Sequence, residues 1–287
     1  ASSLAAAAYG APVAGLALVA VTLAQATVLT PSAPFADAIA VSASARQGFS
    51  YGLPRGTGSA AFVLGTLASG ALVTAFGWTA AALAQAALLL AASALALRAP
   101  EPAASVSAPS TDGWRDLFAI RPFRQSMLIA ALVLGSHALH DGFALIAWTQ
   151  AGVSPRTSSF LWSEGVVAEI AVFLSLGPWL LKRLGARGAL ALSLAAAVLR
   201  WTTMAFTSAP EVMAFTEPLH GLTFALLHLA CMDVIARNAP ADLAASAQAL
   251  YGAVAVGVAN AALTAASGVI FARYGAGGFA FMAALCL

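Results

Sequence analysis

Charged residues are scarce in this chain. Its 287 residues include thirteen Lys or Arg and eleven Asp or Glu, so that 8% are charged and 61% are apolar. A soluble domain of ordinary composition has about a quarter of its residues charged. The composition therefore excludes an ordinary soluble domain and predicts a chain that is largely surrounded by lipid.

Other absences exclude several classes of function. The net charge of +2 comes with no basic patch that could neutralise a row of phosphates, which excludes nucleic-acid binding. No Walker A loop is present, which argues against ATP-driven transport. The two cysteines, Cys231 and Cys286, lie in apolar stretches, too few for a disulfide framework or a metal site, so we interpret them as packing residues.

An intramembrane enzyme is the alternative from a different class. Its metal ligands would be drawn from His137, His140, Asp141 and Glu164. However, no His-Glu-x-x-His motif or other zinc-binding spacing occurs in the sequence. We therefore expect neither an enzyme nor a metal, and no cofactor.

Apolar stretches of about 20 residues, enough to cross a hydrocarbon core of about 30 Å, recur along the chain. They predict an all-α membrane protein with about eight complete and two partial transmembrane helices, and we expect both ends to be truncated. The first fragment covers residues 3–12, and the last begins near Gly275. The complete spans are predicted at 14–40 (kinked by Pro31 and Pro34), 59–77, 79–98, 123–148, 157–181, 188–207, 211–237 and 243–271.

Residues 98–121 interrupt this pattern with prolines, serines and charges, which indicates a linker between two helical bundles. If the linker is cytoplasmic, the loops on that side hold ten of the thirteen basic residues and the opposite loops hold two. This bias predicts a cytoplasmic linker.

Several motifs occur in the order known from one family. Residues 51–62 read Tyr-Gly-Leu-Pro-Arg-Gly-Thr-Gly-Ser-Ala-Ala-Phe, similar to a Tyr-Gly-x-x-Arg-x-Trp-Gly-Ser-x-x-Phe signature, and residues 34–38 read Pro-Phe-Ala-Asp-Ala. Further matching landmarks lie at 135–138, 161–169, 199–201, 219–224 and 247–251. Together they resemble the 3-phenylpropionic acid transporter group of the major facilitator superfamily.

The resemblance implies a two-bundle fold with twelve helices in the family. In this chain it implies a partial N-terminal bundle at 1–97, the cytoplasmic linker at 98–121, and a C-terminal six-helix bundle at 122–287 whose last helix is incomplete. The implied function is secondary transport of an aromatic monocarboxylate. A sugar or nucleoside symporter of the same superfamily and an inactive truncated carrier are the alternatives.

Ionisable side chains inside the spans are candidate functional residues, because a charge at bilayer depth costs several kcal/mol unless it faces a cavity or a partner. His137, His140 and Asp141 share one helix face, and a carboxylate beside an imidazole suits proton exchange. A structural hydrogen-bond cluster is the alternative interpretation.

A second stripe, Glu217, His220, Phe224 and His228, falls on one face of the 211–237 helix. It could bind an aromatic carboxylate and transfer a proton. A solvated, inert helix entrance at Glu217 is the alternative.

Arg200 is the one Lys or Arg in the interior of a predicted span, away from its ends. It could form a buried pair with Glu169, or it could hold a substrate carboxylate while Glu169 titrates. Trp162, Gln248 and Tyr251 are further substrate-binding candidates, although interhelical hydrogen bonds explain the polar ones equally well. Asp37 and Arg55 are candidates for a gating ion pair, and a solvated loop acid is the alternative interpretation of Asp37.

These candidates lead to a proton-coupled symporter working by alternating access. The expected coupling residues are His137, His140, Asp141, Glu169, His220 and His228, and the expected substrate-binding residues are Arg200, Trp162, Glu217, Phe224, Gln248 and Tyr251. The expected partners are a small solute, protons and the lipid bilayer. We expect a monomer in a bacterial inner membrane.

Overall fold

The computed structural model describes residues 47–48, 52–98, 114–240 and 243–287. Within these ranges every secondary-structure element is helical. The chain divides into two compact units, Ala1–Val106 and Ser107–Leu287, which we call unit 1 and unit 2. The predicted span at 14–40 lies outside the described residues.

Unit 1 contains two described helices, α1 (Gly52–Phe76) and α2 (Trp78–Ala96), which pack against each other. They fall on the predicted spans at 59–77 and 79–98. None of the side chains of α2 is buried, although the helix is almost entirely apolar. A helix that is hydrophobic on every side and exposed in its own unit is typical of a membrane span.

Unit 2 begins with α3 (Trp114–Ala119), which falls within the predicted linker at 98–121. Its Leu117 is fully buried and belongs to the hydrophobic core of unit 2. The end of the predicted linker is therefore helical and packed. That the linker lies in the cytoplasm stays a prediction.

The remaining helices of unit 2 form long apolar runs, several of which include a 3-10 or π-helical segment. They are α4 (Arg121–Gln150), α5 (Pro155–Ala171), a π segment (Val172–Leu176), α6 (Gly177–Phe206), α7 (Pro210–Thr216), a 3-10 turn (Glu217–Leu219), a π segment (Gly221–Leu226), α8 (Leu227–Asn238), α9 (Ala244–Leu250), a π segment (Tyr251–Val258), α10 (Ala259–Tyr274), a 3-10 turn (Gly275–Gly278) and α11 (Phe279–Leu285).

Two glycines divide the longest helical runs. Gly185 has φ 65° and ψ 174° inside α6, a conformation that an L side chain rarely adopts. It separates the regions that correspond to the predicted spans at 157–181 and 188–207. Gly275, with φ 55°, ends α10 and leads through a 3-10 turn into α11.

Five described helical segments are long and apolar enough to cross a bilayer, at 78–96, 121–150, 155–206, 210–238 and 246–285. Among the described residues the expected number of about ten helices is therefore not confirmed. Two of the five segments contain the breaks at Gly185 and Gly275, so each of these two segments holds more than one straight helix.

The core of unit 2 forms where α4 packs against α10, and where α6 packs against α8 and α11. Its largest fully buried apolar side chains include Phe123, Trp148, Trp201 and Phe279. The α5 helix packs against the 3-10 and π segments between 217 and 226. This contact brings side chains of α5 together with side chains of the 3-10 and π segments.

Gly221 permits that close approach. A Cβ atom at this position would lie 2.8 Å from the carbonyl oxygen of Ala168 and 2.9 Å from a methyl group of Val172. Both contacts are shorter than real Cβ atoms tolerate, and the first involves backbone that cannot rotate away. Glycine is therefore required here by the α5 contact.

We expect Gly221→Ala to lower the unfolding free energy by about 1–3 kcal/mol through overpacking. Gly65→Ala in α1 is the matched control, because a Cβ there meets no atom within 4 Å. That change should be neutral or slightly stabilising, since alanine favours a helix over glycine. Thermal unfolding in detergent measures both, and equal melting temperatures for the two variants would contradict the close contact.

Candidate functional site

The candidate site is centred on a buried ion pair between two helical regions of unit 2. Arg200, in α6, is 0% exposed, and Glu217, in the 3-10 turn after α7, is 1% exposed. An Nη2–H of Arg200 donates to Oε2 of Glu217 at 2.6 Å. Burial of opposite charges is tolerated when they pair closely, and removal of either partner leaves the other charge uncompensated.

His140, in α4, joins this pair to a more exposed carboxylate. Its Nε2 lies 3.2 Å from Oε2 of Glu217 and 3.2 Å from Nη2 of Arg200. Its Nδ1 lies 3.1 Å from Oδ1 of Asp141, whose side chain is 54% exposed.

The two neighbours of the His140 Nε2 atom correspond to two proton states. An unprotonated Nε2 accepts from Arg200, whereas a protonated Nε2 donates to Glu217, because the guanidinium can only donate and the carboxylate accepts. The geometry accommodates both states with small shifts. An imidazole in this position can therefore take up and release a proton.

His220, which follows the 3-10 turn, extends the network on the other side. Its Nδ1 lies 3.3 Å from Nη1 of Arg200, and its Nε2 lies 3.4 Å from Oε2 of Glu169 in α5. Because arginine donates, Nδ1 is the acceptor and Nε2 carries the proton that faces Glu169. The side chains of His220 and Glu169 are 20% and 19% exposed.

These contacts form one continuous sequence of side chains, which we call the polar chain. At both ends it has partly exposed carboxylates, and its centre is buried. Every link that joins two members is 3.4 Å or shorter. The members are Asp141, His140, Glu217, Arg200, His220 and Glu169.

Aromatic rings cover the polar chain. Trp162 stacks on His140 with ring centroids 4.8 Å apart, and Phe224 stacks on His220 at 5.5 Å. The guanidinium carbon of Arg200 lies 4.7 Å from the ring centroid of Trp201. Cation–π contact and exclusion of water both strengthen the electrostatic interactions of the pair.

The aromatic residues differ in how they could meet a solute. Trp148 and Trp201 are 1% and 0% exposed and belong to the core. Trp162 and Phe224 are only partly buried. Stacking on a substrate is therefore possible for Trp162 and Phe224 and is excluded for the two core tryptophans in this conformation.

His137 is buried beside the polar chain, with both ring nitrogens engaged. Nδ1 donates to the carbonyl oxygen of Val133 at 2.9 Å, and Nε2 lies 3.0 Å from the hydroxyl oxygen of Thr223, a group that also lies within hydrogen-bond reach of the His220 carbonyl oxygen. Its ring packs edge-to-face on His220 at 5.3 Å. Both ring nitrogens thus have partners within the protein, which favours the structural alternative over proton coupling for His137.

The engagement of His137 predicts the effect of His137→Phe. We expect this variant to keep uptake driven by a pH gradient, because a ring remains against His220. It should lose about 1–3 kcal/mol of unfolding free energy, because two buried hydrogen bonds disappear. Thermal unfolding and uptake into vesicles test the two parts. Loss of pH-driven uptake in a well-folded variant would return His137 to the coupling residues.

His228 and Tyr251 form a separate pair. His228 Nδ1 lies 3.2 Å from the hydroxyl oxygen of Tyr251, and Phe173 packs edge-to-face on the imidazole at 5.9 Å. Gln248, one helical turn before Tyr251, has an exposed side chain. The role of His228 in proton coupling and the roles of Gln248 and Tyr251 in substrate binding stay predictions.

The structure corrects two interpretations of the sequence. The expected Arg200–Glu169 bridge is wrong, because Arg200 pairs with Glu217 and Glu169 pairs with His220. The solvated, inert alternative for Glu217 is also wrong, because its side chain is 1% exposed. Asp37 lies outside the described residues, as does the side chain of Arg55, so a gating pair stays a prediction.

The stripe predicted on the 211–237 helix is interrupted because the helix there is irregular. A regular α-helix would align Glu217, His220, Phe224 and His228, whereas the chain passes through a 3-10 turn and a π segment in this region. His220 and Phe224 stack, and His228 lies within hydrogen-bond distance of the hydroxyl of Tyr251. Thr223, whose hydroxyl contacts His137, was missed; its position three residues after His220 was the available signal.

No group of three or more His, Cys, Asp or Glu side chains in the described ranges is placed to hold a metal ion. The polar chain is thus a set of hydrogen-bonded and paired side chains. Its chemistry is that of proton transfer and of charge-assisted binding.

Comparison with known proteins gives two kinds of match. The model of the MFS_1 like family matches residues 11–283. The chain is 34% identical over 263 residues to a protein of Escherichia coli (strain K12) named "Probable 3-phenylpropionic acid transporter", a match that covers 90% of this chain and 68% of that protein. It is 27% identical over 256 residues to the "Maltose permease" of Geobacillus stearothermophilus, covering 88% of this chain and 64% of that protein.

Proposed function

We propose that this chain, which belongs to the MFS_1 like family of multi-pass membrane transporters, is a secondary active transporter. It would couple the transport of a small organic monocarboxylate to the movement of protons. The matched E. coli protein supports the solute class by its name alone. The proposal includes alternating access of two helical bundles in a bacterial inner membrane, with residues 98–121 in the cytoplasm.

The polar chain is the observation that carries the proposal. Six ionisable side chains lie within predicted membrane spans, which is costly unless they serve a path for ions or solute. They are linked without a gap from Asp141 to Glu169, and both ends are partly exposed. Packing alone does not require two partly exposed carboxylates to be joined through two imidazoles and a buried ion pair.

Aromatic side chains beside the polar chain support an aromatic solute. Trp162 and Phe224 are partly buried, and each stacks on an imidazole of the chain. An aryl group that entered this region would find rings with which to stack, worth about 0.5–1.5 kcal/mol per pair. Its carboxyl group would then lie near Arg200 and the imidazoles.

Uptake of labelled 3-phenylpropionate by proteoliposomes tests the proposal. With the interior alkaline, the protein should concentrate the solute faster than protein-free liposomes, whose passive uptake of the weak acid sets the background. A protonophore should abolish the gain. Uptake no faster than in protein-free liposomes, or unaffected by the gradient, would contradict the proposal.

Glu217→Gln and Asp233→Asn form a matched pair for this assay. Glu217 is central to the polar chain, whereas Asp233 pairs with Arg237 at 2.7 Å near the end of α8, away from that chain. We expect the first variant to lose coupled uptake and the second to keep it.

A sugar symporter is the second candidate, favoured by the match to the maltose permease. The two candidates differ in competition. An excess of unlabelled maltose should leave 3-phenylpropionate uptake unchanged if the solute is an aromatic acid. Labelled maltose accumulating under the same gradient would favour the sugar candidate.

A further inference from the structure

Two polar atoms at the centre of the polar chain have no hydrogen-bond partner in the described part of the protein. They are Nε of Arg200 and Oε1 of Glu217, and both are fully buried. The other atoms of the same two groups are engaged, since Nη2 and Oε2 meet at 2.6 Å. Buried polar groups without partners are rare in folded proteins, so these two atoms point to a ligand.

The two unpartnered atoms belong to the two side chains that meet in the ion pair, and they differ in kind. Nε is bonded to the same carbon as Nη2, and Oε1 is bonded to the same carbon as Oε2. Nη2 and Oε2 are the two atoms that meet at 2.6 Å. Nε–H can only donate a hydrogen bond, and the carboxylate oxygen can only accept one. The ligand group that satisfies both therefore has one acceptor and one donor.

A carboxylate does not meet this requirement, because it has two acceptor oxygens and no donor. An undissociated carboxylic acid does, since its carbonyl oxygen accepts from Nε–H and its O–H donates to Oε1. An alcohol meets it with a single oxygen. The shared chemistry is a neutral group that carries an O–H.

The surrounding charges point the same way. The groups that face the ion pair are His137, His140 and Asp141 from α4, Glu169 from α5, and His220 beside the 3-10 turn, with the exposed Glu164 farther along α5. Glu217, Asp141 and Glu169 carry three negative charges against the one positive charge of Arg200. Even with His140 protonated the balance stays negative, which opposes entry of an anion.

We propose that the Arg200–Glu217 pair binds its solute as a neutral O–H-bearing group, so that an organic acid occupies the site in its undissociated form. This rests on the proposed function for the identity of the solute as an acid. The coupling proton then sits on the carboxyl group of the solute while it is bound. Uptake of one acid with one proton moves no net charge.

Binding to the purified protein, read from tryptophan fluorescence, tests this separately from transport. The probes share one phenylalkyl shape and differ in the polar group: 3-phenylpropionic acid, 3-phenyl-1-propanol and the permanently anionic 2-phenylethanesulfonate. The alcohol should bind with a Kd that is independent of pH. The acid should weaken by about tenfold per pH unit above its own pKa, because only the undissociated fraction binds. The sulfonate should not bind measurably.

The alcohol also separates the two sources of an O–H group. If the alcohol binds and the acid follows the expected slope, the pair recognises the neutral O–H group in either compound. If the alcohol alone binds, the proposal for an O–H group stands and the acid is not the solute, which contradicts the proposed function instead. Sulfonate binding as tight as that of the acid, an acid Kd that does not change with pH, or no binding by any probe would overturn the inference.

Glu217→Gln provides a sharper check, because the amide adds an N–H donor where the acceptor Oε1 stood and removes a negative charge. We expect the variant to bind the sulfonate and to lose the tenfold dependence on pH for the acid. Asp233→Asn, outside the polar chain, should behave as the parent does. If Glu217→Gln does not fold, the dependence of the acid's Kd on pH in the parent protein still tests the proposal.

Discussion

Arg200→Met should lower the unfolding free energy by about 3–5 kcal/mol, the largest effect of any single substitution that we expect on stability. The variant would leave the carboxylate of Glu217 buried, 1% exposed, without its cation. In the described part of the chain, His140 is the remaining ion-pair partner of that carboxylate, at 3.2 Å. Thermal unfolding in detergent, followed by circular dichroism, measures the loss.

The double variant Arg200→Met with Glu217→Leu separates the cost of an unpaired charge from the loss of the pair itself. Well-packed apolar residues often replace a buried ion pair with little change in stability. We therefore expect the double variant to regain most of the loss while transport stays absent. A double variant that melts as low as the single variant would show that Arg200 stabilises the fold mainly through other contacts, such as the one with Trp201.

Arg237→Met serves as the control for this comparison. The side chain of Arg237 is 74% exposed and pairs with Asp233 one helical turn earlier. An exposed pair of this kind contributes about 1 kcal/mol or less. The two arginines form ion pairs of similar length, and they differ in burial and in the further contacts of Arg200 with His140, His220 and Trp201.

The sequence was enough to predict that the protein is helical and which residues form the candidate site. It was not enough to predict which of these residues contact each other across helices. Apolar runs with few charges identify helices regardless of how those helices pack. The same shortage of charge made Arg200, Glu217 and His140 stand out, because each interrupts an apolar run. Spacing within one helix also placed His140 beside Asp141 correctly, since both lie on α4.

Partners across helices could not be predicted in the same way. The expected pairing of Arg200 with Glu169 assumed that residues at similar depth on consecutive helices meet. In the structure, Gly221 lets α5 approach the π segment after His220, so Glu169 meets His220, and Glu217 is left for Arg200. A close approach between backbones depends on tertiary packing, which the periodicity of a single helix does not report.

Irregular helical segments were the other source of error. The angular position of His228 was calculated for 3.6 residues per turn, whereas the intervening π segment has more residues per turn. The same kind of segment at Tyr251–Val258 begins at the residue that contacts His228. No residue pattern in an alanine-rich stretch distinguishes a π segment from a regular helix.

His220→Ala and Asp141→Asn should each abolish accumulation driven by a pH gradient, the largest expected effects on transport. His220 is the link between Arg200 and Glu169, at 3.3 Å and 3.4 Å, and Asp141 is the half-exposed end next to His140. Removal of a positioned proton-transfer group costs about 10²–10⁴-fold in rate. We therefore expect initial rates under a pH gradient to fall at least about 100-fold.

Exchange of solute at equal pH on both sides separates a loss of coupling from a loss of folding. Labelled solute outside and unlabelled solute inside exchange without net proton movement, so the two variants should retain this activity although they no longer accumulate solute. Asp141→Asn is the gentler change, because the amide keeps an oxygen that can accept from His140 Nδ1. If either variant accumulates solute as well as the parent does, the residue concerned does not belong to the proton path, and the polar chain conducts protons by its remaining members.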